Sequence, residues 1–234
     1  MLMNEQVVQV WCRETVVSSP DVVALAESRL SPKERARAAR FVRTQDRCDY
    51  VVAHALLRET LSPYVGVPPA ALQFEVDATG KPHLASHYAS PLAFSLSHTR
   101  RMAACALGVA CDVGVDVESH DHSADDAIAE LALSASERQA LADLPETEKS
   151  KRLLALWTLK EAYFKATGEG LGGPLDRVAF AIAPDGAAQL TSLPLTSGSW
   201  RFALFAPGVG HTLAVACRDS APDADRAIWL HPLT

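Results

Sequence analysis

Two segments of the chain, Leu30–Ala38 (LSPKERARA) and Leu133–Leu141 (LSASERQAL), share the pattern L-S-x-x-E-R. In both, a serine stands at a helix N-cap and a glutamate three residues later closes a capping box. In the first, Pro32 also takes the first helical position. Each segment precedes a long helical region, and each half of the chain also has a strand-rich part. Capping boxes are common, so the repetition is open to chance as well as to duplication. Under duplication the fold is α+β: two similar halves, residues 1–108 and 109–234, each a small sheet packed against helices. They would meet at a pseudo-twofold cleft, with the crossing point near Gly108 to Cys111.

Periodicity and turn chemistry supply the remaining elements. VVQVWC at residues 6–11 reads as a strand. The helix opened by Ser31 is expected to run through the arginines to about Arg43. A second spans about Asp46 to Leu61, with Val51, His54, Ala55 and Arg58 at helical spacing. Gly80-Lys81-Pro82 marks a turn. PLAFSLSHT and MAACALGV read as paired strands leading into CDVGVDVE. A polar loop, HDHSADD, precedes a helix from about Asp125. A further helix from about Lys149 to Ala166 is ended by Gly168 and Gly170. RVAFAIAP, WRFALFAP and HTLAVACR read as strands.

Bulk properties exclude several classes. A chain of 234 residues is one large domain or two small ones. Its formal net charge of -6 argues against broad nucleic-acid binding. Five cysteines without a C-x-x-C pair fit small buried residues in a reducing compartment rather than a disulfide framework. Glu5, Arg13 and Glu14 interrupt any apolar run at the N-terminus, so no signal peptide is expected. No uncharged apolar stretch is long enough to span a bilayer. The cytoplasm is the expected location.

Four groups of residues can carry chemistry. In Asp112-Val-Gly-Val-Asp116-Val-Glu118, alternation sends the valines to a core and Asp112, Asp116 and Glu118 to the other face. Acids two residues apart on one face repel, and a divalent cation such as Mg²⁺ compensates; a solvent-facing strand is the alternative. In the helix, Trp157, Glu161 and Lys165 form one stripe, which on its own also suits a surface ion pair. Ser97 and His98, ending FSLSH, can donate to phosphate oxygens, although a lone histidine is usually structural. Lys33, Arg35, Arg37, Arg40, Arg43 and Arg47 make a basic stripe that grips a phosphate or is a solvated helix face. His120 and His122 invite a transition-metal reading, but a polar loop explains them.

Together these groups resemble, in chain order, the Sfp-type 4′-phosphopantetheinyl transferases over about residues 30–175. The match is carried by G-[IV]-D-[VI]-E at Gly114 to Glu118 and by W-[ST]-x-K-E-[AS]-[YF]-x-K at Trp157 to Lys165. The latter continues into G-x-G-L at Gly168 to Leu171. FSLSHT resembles the family's F-[NS]-x-S-H segment, and Gly80, Lys81 and Pro82 resemble its adenine-side loop. Trp157 with KEA places the chain beside the W/KEA subgroup. The resemblance implies transfer of the phosphopantetheine arm of coenzyme A to a serine of an apo acyl or peptidyl carrier protein, releasing adenosine 3′,5′-bisphosphate. It implies Mg²⁺ on Asp116, Glu118 and Glu161, with Glu161 also the candidate base. Lys165 and His98 would neutralise the diphosphate, and Ser97 with Arg37 would bind the 3′-phosphate.

The chain departs from the family at two positions. Asp49 stands where members often carry a basic residue, so Arg47 is the expected substitute. Glu34 stands where some have lysine. A Mg²⁺-dependent phosphohydrolase and a non-catalytic coenzyme A or carrier-binding module are the alternative functions. The implied partners are coenzyme A and a carrier protein, with no nucleic acid or membrane, and the protein is expected to be a monomer.

Overall fold

The computed structural model describes residues 3–16, 20–121, 131–170, 173–192, 198–220 and 226–233. The expected helix start at Asp125, His122, and Leu171 of the G-x-G-L run lie outside these residues. The first half runs β1 (Val7–Glu14), α1 (Pro20–Ser28), α2 (Pro32–Ala38), α3 (Thr44–Val65), β2 (Phe74–Val76), β3 (Pro82–Leu84), β4 (Leu92–Thr99) and β5 (Met102–Val109). The second runs β6 (Asp112–Ser119), α4 (Ala135–Ala142), α5 (Glu146–Thr167), β7 (Ala179–Ile182), β8 (Ala188–Ser192), β9 (Ser199–Phe205), β10 (His211–Asp219) and β11 (Ala227–Leu230).

The two halves repeat one plan. Each has a strand, a capped short helix, a 22-residue helix, a small hairpin and an antiparallel pair. The sheet orders match as well: β1-β5-β4 in the first and β6-β10-β9 in the second. Among the described residues, the sheet correspondence is broken by β11, which returns to pair in parallel with β1. Both capping boxes form. Ser31 accepts from Glu34 N and Ser134 from Glu137 N, with each glutamate returning to its N-cap backbone.

The core is layered α, β, β, α. Val8, Val10, Cys12 and Ala106 of the first sheet pack on Val113, Val115, Val117 and Val215 of the second. On the outer faces, Leu56, Leu57 and Leu61 of α3 cover Ala103, Cys105 and Leu107. Leu159, Ala162 and Ala166 of α5 cover Ala214 and Ala216. The strand alternation expected for VGVDVE is present: its valines enter the inter-sheet core, so Gly114, Asp116 and Glu118 face α5.

One expected boundary is corrected. The helix opened by Ser31 stops at Ala38 rather than continuing to Arg43. Phe41 turns inward instead, its ring 5.3 Å from that of Tyr50, and Arg43 is already extended as the N-cap of α3. α3 itself begins slightly earlier and ends later than its pattern implied, closed by Gly66 at φ 77.

Candidate functional site

The site depends on how closely α5 approaches β6. A Cβ added at Gly114 would lie 1.9 Å from Ala162 O and 2.5 Å from Ala166 N. Only a glycine lets the helix backbone rest on the strand here. Glu161 precedes Ala162 and Lys165 precedes Ala166, so this contact carries both side chains to Asp116.

Asp116 is 4% exposed. Its Oδ1 accepts from Lys165 Nζ at 2.7 Å and from Ser97 Oγ at 2.8 Å. Its Oδ2 is buried with no hydrogen-bond partner, and so is Glu161 Oε1. Burial, then the charge of Asp116, raises the Glu161 carboxyl to about 7, while Lys165 works against the shift. Glu118 accepts from Trp157 Nε1 at 3.2 Å and, more weakly, from Thr99 Oγ1 at 3.5 Å. Thus the strand acids and the helix acid converge as the sequence suggested, and the Trp157 stripe faces them. Asp112 does not join them; it pairs with Arg218 across β6 and β10, its Oδ2 2.8 Å from Arg218 Nε.

Ser97 is a junction. Its hydroxyl donates to Asp116 and accepts from Lys165 Nζ at 2.8 Å and from Val117 N at 3.4 Å. Ser95 Oγ accepts from Val115 N at 3.0 Å. β6 is an edge strand of its sheet, and these two hydroxyls from β4 cap its outward N–H groups. Ser95 was not among the residues singled out from the sequence, because nothing local marks a hydroxyl aimed at another strand's edge.

His98 is exposed at the end of β4. Surrounding protein mass, then the positive charges of His54, Lys165 and Arg37, hold its imidazole below the ordinary value, with Asp49 opposing. These groups therefore form one electropositive neighbourhood, which an anion would relieve. His54 belongs to it: its ring lies 4.1 Å from Tyr50, and its Nδ1 3.1 Å from Glu34 Oε1. Arg37 lies over the Tyr50 ring, 5.4 Å from its centroid. Arg47 is engaged elsewhere, paired with Glu27 of α1. Asp49 is buried, accepting from Thr15 and from Gln45 Nε2, the latter at 2.8 Å. Glu34 supports the fold rather than facing this neighbourhood as a free charge, since Arg58 Nε donates to it at 2.7 Å.

A cavity of about 260 Å³ opens beside Lys165. Gly80, Lys81 and Pro82 of the β2–β3 hairpin form one wall, and Phe94, Leu96 and Phe164 form another. Lys81 Nζ donates to Ala166 O at 2.7 Å, tying the hairpin to the end of α5. Burial lowers its pKa. His120 hydrogen-bonds Thr212 Oγ1 at 2.9 Å, as suits a polar loop.

Lys160 is the motif residue whose place the sequence left unread. It is fully buried, with Nζ 2.7 Å from Glu137 Oε2 and 2.8 Å from Leu175 O. The available signal was its spacing: it falls with Leu156 and Tyr163 on the apolar face, not on the Glu161 stripe.

Among the described residues, no three histidine, cysteine, aspartate or glutamate side chains form a ready-made metal cage. The two orphaned carboxylate oxygens nevertheless suit a hard cation that takes few protein ligands and completes its shell with phosphate and water.

Comparison with known proteins gives a consistent picture. Residues 112–217 match the family model described as the 4′-phosphopantetheinyl transferase superfamily. Residues 18–108 match the model described as 4′-phosphopantetheinyl transferase, N-terminal. The 4′-phosphopantetheinyl transferase HetI of Nostoc sp. is 35% identical over 170 residues, covering 72% of this chain and 71% of that protein. The 4′-phosphopantetheinyl transferase psf-1 of Bacillus pumilus is 31% identical, covering 69% of this chain and 67% of that protein. A solved holo-(acyl-carrier-protein) synthase from Bacillus anthracis, in complex with CoA (3′,5′-ADP), overlays 47% of this chain and 96% of its own at 18% identity and TM-score 0.42.

Proposed function

The chain belongs to the 4′-phosphopantetheinyl transferase superfamily, and on that premise we propose that it moves the 4′-phosphopantetheine arm of coenzyme A onto a serine of an apo acyl or peptidyl carrier protein. The observation that carries this reading is the meeting of Asp116, Glu118 and Glu161 beside Lys165, with two buried carboxylate oxygens lacking partners.

Asp116, Glu118 and Glu161 are the residues that would hold Mg²⁺. When bound, the ion neutralises charge on the diphosphate and polarises its phosphoryl oxygens. Lys165, part-exposed between Asp116 and the cavity, places an ammonium beside the same oxygens. His98 adds a donor for the diphosphate. Arg37 takes the 3′-phosphate in the neighbourhood it shares with His54, whereas Ser97, whose single proton goes to Asp116, donates to the ligand only by leaving that carboxylate. Arg47 reaches the ligand only by leaving Glu27. Gly80, Lys81 and Pro82 line the cavity that receives the adenine.

Glu161 suits the base. A carboxyl raised to about 7 accepts a proton near neutral pH far better than an ordinary glutamate. It takes the proton of the carrier serine as the serine oxygen bonds to the β-phosphorus. The bond from that phosphorus to the oxygen bridging to the α-phosphorus breaks. Adenosine 3′,5′-bisphosphate leaves with that electron pair.

The halves expected to divide between residues 108 and 109 meet at the end of β5, which runs to Val109, and the site draws β4 from the first and β6 and α5 from the second. We assign the cytoplasm and a monomeric state. The free cysteines suit a reducing compartment. No helix among the described residues is long and apolar enough to cross a membrane.

Incubation with coenzyme A, Mg²⁺ and a panel of apo carrier domains tests the reading by intact mass. One carrier should gain the mass of the arm, and Asp116→Ala and Glu161→Ala should abolish the gain while remaining folded. A folded wild-type protein that modifies no carrier, or near-normal rates in both variants, refutes it.

A further inference from the structure

β4 and α5 run from one end of the site to the other. At one end Phe94, Phe164 and Gly168 line the cavity read above as the adenine pocket. Ser97, Glu161 and Lys165 gather about Asp116 in the middle. Thr99 and Trp157 mark the far end, both reaching Glu118. From Phe94 to Thr99 the strand rises about 17 Å. From Phe164 back to Trp157 the helix covers about 10 Å. In phosphoryl transfer the attacking and leaving oxygens lie roughly in line, on opposite sides of phosphorus. The leaving oxygen is on the adenine side, so the acceptor serine enters from the Thr99–Trp157 end.

Two turns, one from each half, rim that end. The β4–β5 turn presents Arg100 and Arg101, both exposed. The β9–β10 turn presents Val209, fully exposed. The turns are fastened together, with His211 Nε2 3.0 Å from Arg100 O. The second is also tied to the end of β6, where His120 N donates to Gly210 O at 2.8 Å. Arg101 is held by its backbone, its N–H donating to Asp49 Oδ1 at 3.4 Å and its carbonyl accepting from Thr15 N at 3.0 Å. The guanidinium groups of Arg100 and Arg101 make no ion pair among the described residues. Lys151 adds a cation near His120; burial, then His211 and Lys151, hold that imidazole below its ordinary value, with Asp121 opposing. Glu14, opposite Met102 in the β1–β5 register, and Asp121 offset this charge in part. Free arginines on a chain of net charge -6, beside one bare apolar side chain, match a partner of complementary pattern.

We propose that the Arg100–Arg101 turn and the Val209 turn form the rim on which the carrier protein docks, and that they favour a carrier domain with carboxylates around an apolar spot next to its acceptor serine. The proposal rests on the functional reading above for the reaction. It goes beyond that reading in naming the docking surface and the chemistry of the partner's face.

The test combines Arg100→Glu with Arg101→Asn. Asparagine is used at 101 because φ there is 68, a conformation asparagine tolerates. Transfer to a carrier that the wild type modifies should lose about 10–100-fold in kcat/KM, chiefly through the KM for carrier, and should depend less on salt. The calorimetric affinity for coenzyme A should not move. Val209→Ser should lose about 5-fold by the same measure. Replacing the carboxylates beside the carrier's serine by lysine should slow the wild type and restore the double variant. An unchanged kcat/KM overturns the proposal, and so does a loss matched by weaker coenzyme A binding, which would give the rim to the coenzyme's phosphates. If the double variant does not fold, Arg100→Gln decides on the same two readouts. The functional reading is judged separately. A wild type that binds a carrier through this rim yet modifies none refutes transfer alone. Equal transfer by wild type and variant refutes the rim alone. A folded wild type that neither binds nor modifies any carrier refutes both.

Discussion

Replacing Gly114 by alanine tests whether the close approach of α5 to β6 assembles the site. The new methyl would stand 1.9 Å from Ala162 O, whereas ordinary contact begins near 3.4 Å, so about 1.5 Å must be found. Both nearest atoms are helix backbone, so no side-chain rotation relieves the clash. The helix must rise as a body, carrying Glu161 and Lys165 away from Asp116. Overpacking of this kind costs about 1–3 kcal/mol. For a chain of this size that lowers Tm by about 2–12 °C. Displacement of catalytic groups by about 1 Å costs on the order of 100-fold in rate.

The assay is carrier modification followed by mass, alongside thermal unfolding. Gly66→Ala is the matched control. Gly66 ends α3 at φ 77 with open space around its Cβ, so alanine there costs about 1–2 kcal/mol of backbone strain without touching the site. Gly114→Ala should lose about 100-fold in kcat/KM, and Gly66→Ala should keep near-normal transfer at a comparable loss of Tm. If both variants transfer equally well, the close approach is packing alone and the argument fails.

Three other expectations follow from single contacts. Lys160→Met strands the buried Glu137 and should cost about 3–5 kcal/mol in urea unfolding, while Lys160→Arg, the residue type used at Arg58, should cost less than half of that; equal losses would refute the pairing. Trp157→Phe removes the indole N–H from Glu118, so the Mg²⁺ concentration for half-maximal transfer should rise about 10–100-fold and excess Mg²⁺ should restore the rate; an unchanged requirement counts against the bond. Burial would raise the Glu34 carboxyl, but hydrogen bonds from His54, Arg58 and Ser31 prevail and hold it at about 2, below the ordinary 4.5. A depressed carboxylate stabilises the fold above its unfolded value and loses that contribution as pH falls toward its folded value. Tm should therefore fall from pH 4.5 toward 2 more steeply in wild type than in Glu34→Gln, and parallel curves would contradict this.

Much of this was legible because its causes are local. The capping boxes at Ser31 and Ser134, the alternation of VGVDVE and the Trp157–Glu161–Lys165 stripe each follow from near neighbours. The expected end of α2 was wrong because the decisive contact, Phe41 on Tyr50, joins the segment after α2 to the next helix. The fate of the basic stripe was equally nonlocal: Arg47 goes to Glu27 of α1, while Arg37 stays beside Tyr50. The hydroxyls of Ser95 and Ser97 became readable only once β4 lay along the edge of β6. Asp112 shows the limit of periodicity, which places a residue on a face but does not tell whether a neighbouring strand offers an arginine.

One oxygen ties the folding of this chain to its chemistry. A serine hydroxyl has one proton and two lone pairs. Ser97 gives its proton to Asp116 Oδ1 and accepts from Val117 N and Lys165 Nζ, joining the two sheets and fixing one side of the carboxylate. The other side, Oδ2, is left buried and unmet. Buried acceptors without partners cost about 1–3 kcal/mol and are rare in native cores. The orphaned oxygen is thus a consequence of how the halves are joined, not of loose packing. A cation or donor that meets this oxygen binds the folded state alone, so binding there stabilises the same junction that built it.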